Sequence, residues 1–379
     1  MAADTAARGR PAAAAEQDRA EEWYVASQYR LMWRRLTRHR LAIFGGVVLA
    51  VLYLVAIFCE FVAPYDPSTK NTDLLTAPPQ RIHFFGQGSF SPRPFVYAYT
   101  VAEDPVTWRK VYADDPETRF PIRWFVRGEE YRFWGLFKTR AHLFGVDDGY
   151  VFLLGTDTLG RDVFSRIMYG TRISLSIGLI GVALSFILGL TIGGVSGYFG
   201  GFADAVVQRS IDFLRSLPVL PVWMALAAAL PANWPTIRVY FGITVIVSLI
   251  GWTGLARVVR SKLLSLRHED FVMAAVVAGA HSGKIISRHL IPGFLSYVIV
   301  SLTLAVPNMI LSETALSFLG LGLRPPVVSW GVLLSEAQNL HAIALAPWLL
   351  LPGLFIIVAV LAFSFVGDGL RDAADPYAN

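Results

Sequence analysis

Leu41 to Ala63 is a stretch of 23 residues whose only charge is Glu60. A helix needs about 20 mostly apolar residues to cross the hydrocarbon of a bilayer, so this stretch is long enough to span one. A cleaved signal peptide has a shorter apolar core, ~7–15 residues, followed by a small-residue cleavage site. Here the run closes on Pro64, and a retained transmembrane helix is expected. Arg30, Arg34, Arg35, Arg38 and Arg40 precede it with no acid among them, which puts the N-terminus in the cytoplasm by the positive-inside rule. The arginine cluster reads either as general basicity or as a site for anionic lipid or a partner.

Charged residues make up only 16% of the 379 and hydrophobic ones 54%, so too few charges remain to tile a water-facing surface. Lys+Arg 33 less Asp+Glu 28 leaves +5, a balance that in a soluble protein would raise nucleic acid as a partner. The basic residues sit beside apolar spans, where topology accounts for them, and no nucleic-acid partner is expected. The single cysteine, Cys59, excludes an intrachain disulfide, a Cys-based zinc site and a Cys-x-x-Cys redox centre.

Five further spans are expected, at about Ile173–Tyr198, Phe213–Leu230, Val239–Ala256, Phe294–Leu311 and Leu345–Val366. Six crossings from a cytoplasmic N-terminus return the C-terminus to the cytoplasm. The loop from Arg257 to Arg288 carries six basic residues against Glu269 and Asp270, whereas Pro231–Thr236 and Ser312–Ala344 hold only Arg324. The first falls inside and the others outside, in agreement with that topology. The organisation expected is a disordered cytoplasmic tail over 1–29, a basic segment and first helix over 30–63, an extracytoplasmic insert over 64–166, a membrane core over 167–367 and a cytoplasmic tail over 368–379. The insert is rich in Pro, Gly and aromatics, including Trp108, Trp124 and Trp134. Phe95–Val101 and Tyr131–Phe137 alternate as strands do, which predicts a small β-containing lobe with its aromatics mostly in a core.

In the second span Gly189, Gly193, Gly197 and Gly201 recur every fourth residue, a spacing that lets another backbone approach closely in lipid. Packing within the chain, a subunit interface and a mobile pathway-lining helix all fit. No catalytic constellation emerges. Gly279-Ala-His-Ser-Gly-Lys284-Ile285 imitates a phosphate-binding loop, but it has three residues between its glycines where four are needed, and Ile follows the Lys. Glu60, Asp212 and Glu313 lie near span ends, so nothing marks a mid-membrane ion site of the kind a self-powered carrier needs. No metal site is expected.

The cytoplasmic loop 257–292 carries the most information. Glu269 and Asp270 sit at a helix start, where the dipole favours them, and Phe271 to Ala278 is apolar. Gly279 is expected to break the helix, with any bulky replacement disturbing that break, and Pro292 opens the next span. The segment reads as a docking element for a cytoplasmic partner or as an interfacial helix lying on lipid. Here the sequence resembles the permease subunits of ABC importers. Ala274, Ala275 and Gly279 match their "E-A-A, three residues, Gly" signature, with Pro292 thirteen residues on, although Met273 stands where the family has Glu. Leu154-Gly-Thr-Asp-Thr-Leu-Gly-Arg-Asp-Val163, Leu316 to Pro326, Ser329-Trp-Gly331 and Gly367 to Pro376 are similar to the C-type permeases of dipeptide and oligopeptide importers.

The resemblance implies an all-α membrane protein of six transmembrane helices, of the type I importer permease kind, in a bacterial inner membrane. It further implies a homologous second permease, two cytoplasmic ATPase subunits that hold the ATP and Mg, an extracytoplasmic solute-binding protein and surrounding lipid. The chain itself would catalyse nothing and bind no cofactor. Glu269, Asp270, Phe271, Met273, Ala274, Ala275, Gly279 and Pro292 would form the ATPase-docking loop, and Gly189, Gly193 and Gly197 the helix-packing or pathway face. Relatives of this kind carry peptides, nickel chelates, opines or oligosaccharides. The rivals are a stand-alone secondary carrier and a membrane enzyme.

Overall fold

The computed structural model describes residues 28–86, 89–103, 105, 110–231 and 233–374. The tail expected to be disordered lies outside these residues up to position 27. A short helix α1 (Gln28–Leu36) leads into α2 (Arg40–Ile57), whose first turn is capped by the His39 ring accepting from the Ala42 N–H at 3.1 Å. α2 ends at Phe58, and one further turn, α3 (Cys59–Val62), carries the chain to Pro64.

α4 (Val163–Phe199) has 37 residues, about 55 Å of helix, so it overruns a bilayer at one or both ends. α5 (Gly201–Ser216) and α6 (Val219–Ala228) follow and meet at 89°. The straight span expected over Phe213–Leu230 therefore does not form. Pro218 has no N–H to continue the helix and drives Leu217 into extended backbone, φ −82° and ψ 142°. α7 (Thr236–Leu266), α8 (Asp270–Val277), α9 (Leu295–Phe318), α10 (Trp330–Glu336), α11 (Leu340–Leu345) and α12 (Leu351–Ala374) complete the helices. Five helical segments among the described residues are long and apolar enough to cross a membrane, and the bent pair α5–α6 could make a sixth. α12 runs through positions 368–374, which were expected as tail, and 375–379 lie outside the described residues.

The segment between α3 and α4 holds five strands. β1 (His83–Gly86), β2 (Ser89–Glu103) and β3 (Lys110–Pro121) form one antiparallel sheet, and β4 (Arg123–Phe133) and β5 (Phe137–Gly145) a hairpin. Phe95–Val101 lies inside β2, as its alternation suggests. Tyr131–Phe137 is instead the hairpin's tip. Trp134 and Gly135 take positive φ, 49° and 74°, and reverse the chain so that Phe133 pairs with Phe137. Val96, Ile122, Phe144 and Val151 make one small core and Leu74, Ala77 and Phe152 another. The aromatics divide: Tyr65, Phe120 and Tyr150 pack on these cores, whereas Trp124, Phe125 and Trp134 are more than half exposed. Trp108 lies outside the described residues.

The glycine stripe of α4 is filled from within the chain. A Cβ at Gly193 would sit 2.5 Å from the Ala256 carbonyl oxygen, and one at Gly197 would sit 2.9 Å from Arg260 Cα, both on α7. Gly189 abuts the Leu255 side chain in the same way. α7 thus occupies the face that was also open to a second subunit. Gly194, one position round the helix, has nothing closer than 3.8 Å. This difference predicts opposite outcomes for neighbouring substitutions. Gly194→Ala should raise thermal stability in detergent slightly, by up to about 1 kcal/mol from helix propensity. Gly193→Ala should lower it by about 1–3 kcal/mol through overpacking against backbone, read from the two melting curves side by side.

Candidate functional site

α8 is a short helix slung beyond the end of α7, and its residues divide cleanly into held and presented. Val272 is buried with Val259 and Leu263 of α7 and with Ile285, Leu290 and Phe294 of the segment that follows. Ala275 packs partly on the same cluster, where its small side chain lets the helix lie close. Phe271, Met273 and Val276 are each about half exposed, and Val277 is 86% exposed. Glu269 is the N-cap residue, its carbonyl accepting from the N–H groups of Val272 (2.9 Å) and Met273 (3.1 Å), and Asp270 opens the first turn. Both acids and Ala274 face solvent.

The helix stops through backbone geometry. Gly279 donates to the Val276 carbonyl (2.9 Å) and Ala280 to the Ala275 carbonyl (3.0 Å), with Gly279 at φ +77°, which is the Schellman arrangement. A Cβ there would meet nothing within 4 Å. Bulk is therefore not the constraint expected from sequence; the left-handed φ is. The chain then returns through a short turn at Ser282–Lys284, a π-helical stretch Ile285–Leu290 and a 3-10 stretch Ile291–Phe294 that contains Pro292. The loop that imitates a phosphate site follows a helix, without the strand such a site requires.

At the other end of the helical core lies an ion cluster that sequence reasoning did not assemble. Arg166, in the first turn of α4 and 1% exposed, binds Asp157 and lies 2.8 Å from both carboxylate oxygens of Glu336 on α10. Arg161 reaches Asp157 (2.7 Å) and Glu336 (2.9 Å) as well, so two guanidiniums and two carboxylates balance. Asp157 also accepts from the N–H groups of Leu159 (2.8 Å) and Arg161 (3.0 Å), which folds Leu154–Val163 into a tight turn. Asp162 caps α4 through the Ser165 N–H (2.8 Å) and hydroxyl (2.6 Å). Burial nevertheless pushes its carboxyl up to about 7. Nearby, Ser174 accepts from the Trp330 N–H (3.0 Å), and the buried Glu313 accepts from Ser317 (2.7 Å) and Ser329 (2.8 Å).

The stretches Leu154–Val163, Leu316–Pro326 and Ser329–Gly331 thus converge on one place. The signal available in the sequence was the crowding of charge at the threshold of an apolar span, with Asp157, Arg161, Asp162, Arg166 and Arg172 within sixteen residues. Glu60 and Asp212 likewise have cations, Arg172 and Arg257. A concavity of about 330 Å³ opens between α4, α7 and α9 at mid-span. Ser185, Gly251, Gly254 and Ser301 contribute to its wall, beside the glycine stripe and not on it.

The chain is a bundle of long apolar helices, five of them among the described residues long and apolar enough to cross a membrane, that carries a short exposed helix, α8. Residues 189–378 match the family of binding-protein-dependent transport system inner membrane components, and residues 27–79 match the N-terminal transmembrane domain of oligopeptide transport permease C. The dipeptide transport system permease protein DppC of Bacillus subtilis is 31% identical over 346 residues, covering 91% of this chain and 84% of that one. A putative peptide permease protein of Brucella suis is 43% identical over 226 residues, 59% of this chain and 72% of its own. The oligopeptide transport system permease protein OppC of Haemophilus influenzae is 42% identical over 230 residues, 60% and 71% respectively. A solved inward-facing methionine ABC transporter aligns over 55% of this chain and 97% of its own, with a TM-score of 0.43 and 16% identity. The chain belongs to the binding-protein-dependent permease family: it is a non-catalytic membrane permease subunit.

The ion cluster generates two expectations. Arg166→Ala leaves Asp157 and Glu336 with only the peripheral Arg161 between them, and should cost about 3–5 kcal/mol in a melting assay. For Asp162 the pH dependence has a definite sign. Its carboxyl moves from 3.8 to about 7 on folding, so between those values the folded chain holds a proton the unfolded chain has lost, and stability falls as pH rises. Asn caps a helix as well as Asp but does not ionise. The melting temperature of Asp162→Asn relative to wild type should therefore climb between about pH 4 and pH 7 and level off above.

Proposed function

We propose that this chain is one of two permeases in an ATP-driven peptide importer. Its exposed α8, from Glu269 to the Gly279 cap, seats in a groove on a cytoplasmic ATPase subunit. The observation that carries the reading is the division of α8 into one anchored residue, Val272, and a row of presented apolar ones, in a chain of this family. The peptide cargo follows from relatives described as dipeptide, oligopeptide and putative peptide permeases. ATP and Mg belong to the ATPase subunits, and a homologous permease and a solute-binding protein complete the assembly.

Six crossings, with α5–α6 as one broken span, keep both termini in the cytoplasm, and the excess of Lys and Arg in 257–288 supports that orientation. The β-stranded insert then faces the side from which the binding protein delivers its solute, and α8 faces the ATPases. The weakly polar, uncharged concavity at Ser185, Gly251, Gly254 and Ser301 belongs to this chain's half of the solute path.

Two substitutions test the coupling reading. Gly279→Val, β-branched at φ +77°, should unravel the cap and abolish ATP-driven peptide uptake in proteoliposomes while the chain still inserts. Gly279→Asn, which tolerates that conformation, should retain most uptake. Val277→Asp, on the most exposed apolar position, should release the ATPase subunits from the purified complex. ATPase subunits that stay bound, with uptake unchanged, would leave α8 a helix lying on lipid. Gly254→Leu enters open space, so the complex should assemble and hydrolyse ATP yet carry less peptide.

A further inference from the structure

The β4–β5 hairpin does not stand clear of the membrane helices. Its tip is fastened to the end of the first span: the Trp134 indole N–H donates to the Ile57 carbonyl at 3.0 Å. The Arg172 guanidinium, paired with Glu60, lies over the Trp134 ring at 4.3 Å. Phe133 stacks on Phe58 at 5.8 Å. Arg172 is the tenth residue of α4, about 13 Å along it from Val163. The hairpin's base, where Phe144 meets Phe164 at 5.5 Å, is at the very start of that helix. The tip therefore sits further along α4 toward the membrane interior than the base.

Depth can be set by length. α2 has 18 residues, about 27 Å of helix, and a bilayer's hydrocarbon is about 30 Å thick. So α2 needs nearly its whole length to cross, and Val51, six residues or about 9 Å before Ile57, lies in hydrocarbon. Between this part of α2 and the hairpin runs an open groove of about 640 Å³. It is walled by Val51, Leu54 and Phe58 on one side and by Tyr131, Phe133 and Phe137 on the other. Its size is within the usual range of small-molecule sites. The Tyr131 hydroxyl is spent on the Ala141 carbonyl (2.7 Å), which leaves only its ring to the groove. Leu136, at the turn, is 81% exposed, and the neighbouring Trp134 is 52% exposed, an aromatic of the kind found at membrane interfaces.

We propose that this groove is a binding site for an acyl chain of a bilayer phospholipid in the leaflet on the insert's side, and that the β4–β5 tip is seated in that leaflet. The groove is continuous with the lipid-facing side of α2, where Phe44, Val47, Val51 and Leu54 are all more than half exposed, so the bilayer has direct access to it. Arg132 and Lys138 oppose each other on the hairpin's other face and put positive charge where headgroup phosphates lie, with Lys138 shared by Glu130 at 2.7 Å. The proposal rests on α2 being a span and is independent of what solute is carried.

The test uses the assembled importer in membranes of phosphatidylethanolamine and phosphatidylglycerol, with the photoreactive residue p-benzoylphenylalanine placed at Phe137 or, as a control, at Glu117 on the acidic edge of β3. Mass spectrometry of this chain after illumination should show phospholipid adducts at 137 and none at 117. Val51→Trp, on an exposed position, partly fills the groove and should cut the adduct at 137 about tenfold, about 1.4 kcal/mol in site occupancy. Crosslinking of 137 to another subunit would show that a protein fills the groove and overturn the proposal. So would the absence of any adduct in an intact complex, or equal lipid labelling at the two positions. Because the readout is a covalent adduct, a failure here is separate from any failure of peptide uptake.

Discussion

A guanidinium withdrawn from water needs opposite charge and hydrogen bonds, and the arrangement of the helix ends around the start of α4 follows from meeting that need at Arg166. Two carboxylates serve it, one from the turn before α4 and one from α10 beyond α9, so segments more than 170 residues apart in the chain are held at one point. The fold cannot place α10 elsewhere without stranding a charge whose desolvation costs several kcal/mol. Arg161 joins the same pair, and the Trp348 indole donates to the Thr156 carbonyl at 2.9 Å, which ties the start of α12 to the same turn.

The glycine stripe and the ion cluster divide the work of association within lipid, where apolar burial between helices is no driving force. Along the second half of α4, α4 and α7 approach until backbone meets backbone at Gly193 and Gly197, so dispersion contributes there. At the ends, where water and headgroups reach, charge does: Arg166 and Arg172 near one end of α4, Asp204 with Arg260 near the other. Beside the concavity at Ser185, Gly251 and Ser301 a third kind of fastening appears: the Ser185 hydroxyl donates to the Ser248 carbonyl (3.2 Å) and the Ser248 hydroxyl to the Gly181 carbonyl (3.1 Å), hydrogen bonds between α4 and α7.

Much of this was legible in the residues. Span positions came from uncharged length, and α8 came from two acids, an apolar run and a glycine in order, because helix starts and stops are local events. The break at Pro218 was also local and could have been read, since a proline in the sixth position of an expected span is a known interruption; apolarity on both sides concealed it. The turn at Trp134–Gly135 was hidden because alternation of aromatics continues straight through it. The ion cluster could not be found by any local rule. Glu336 and Arg166 are matched only in three dimensions, and Gly193 is distinguished from Gly194 only by what α7 brings opposite.

The right-angled break between α5 and α6 leaves the last carbonyls of α5 without helical partners, as every helix terminus does. The Phe213 carbonyl accepts from the Ser216 hydroxyl at 2.7 Å, a local substitute for the lost helical bond. Hydrocarbon offers no hydrogen bonds, and an open backbone acceptor at membrane depth is tolerated only against protein or in a wetted cleft. With α5–α6 as the broken span proposed above, the elbow at Leu217–Pro218 is a solvation demand: lipid cannot close it, so water or a neighbouring polypeptide has to stand there.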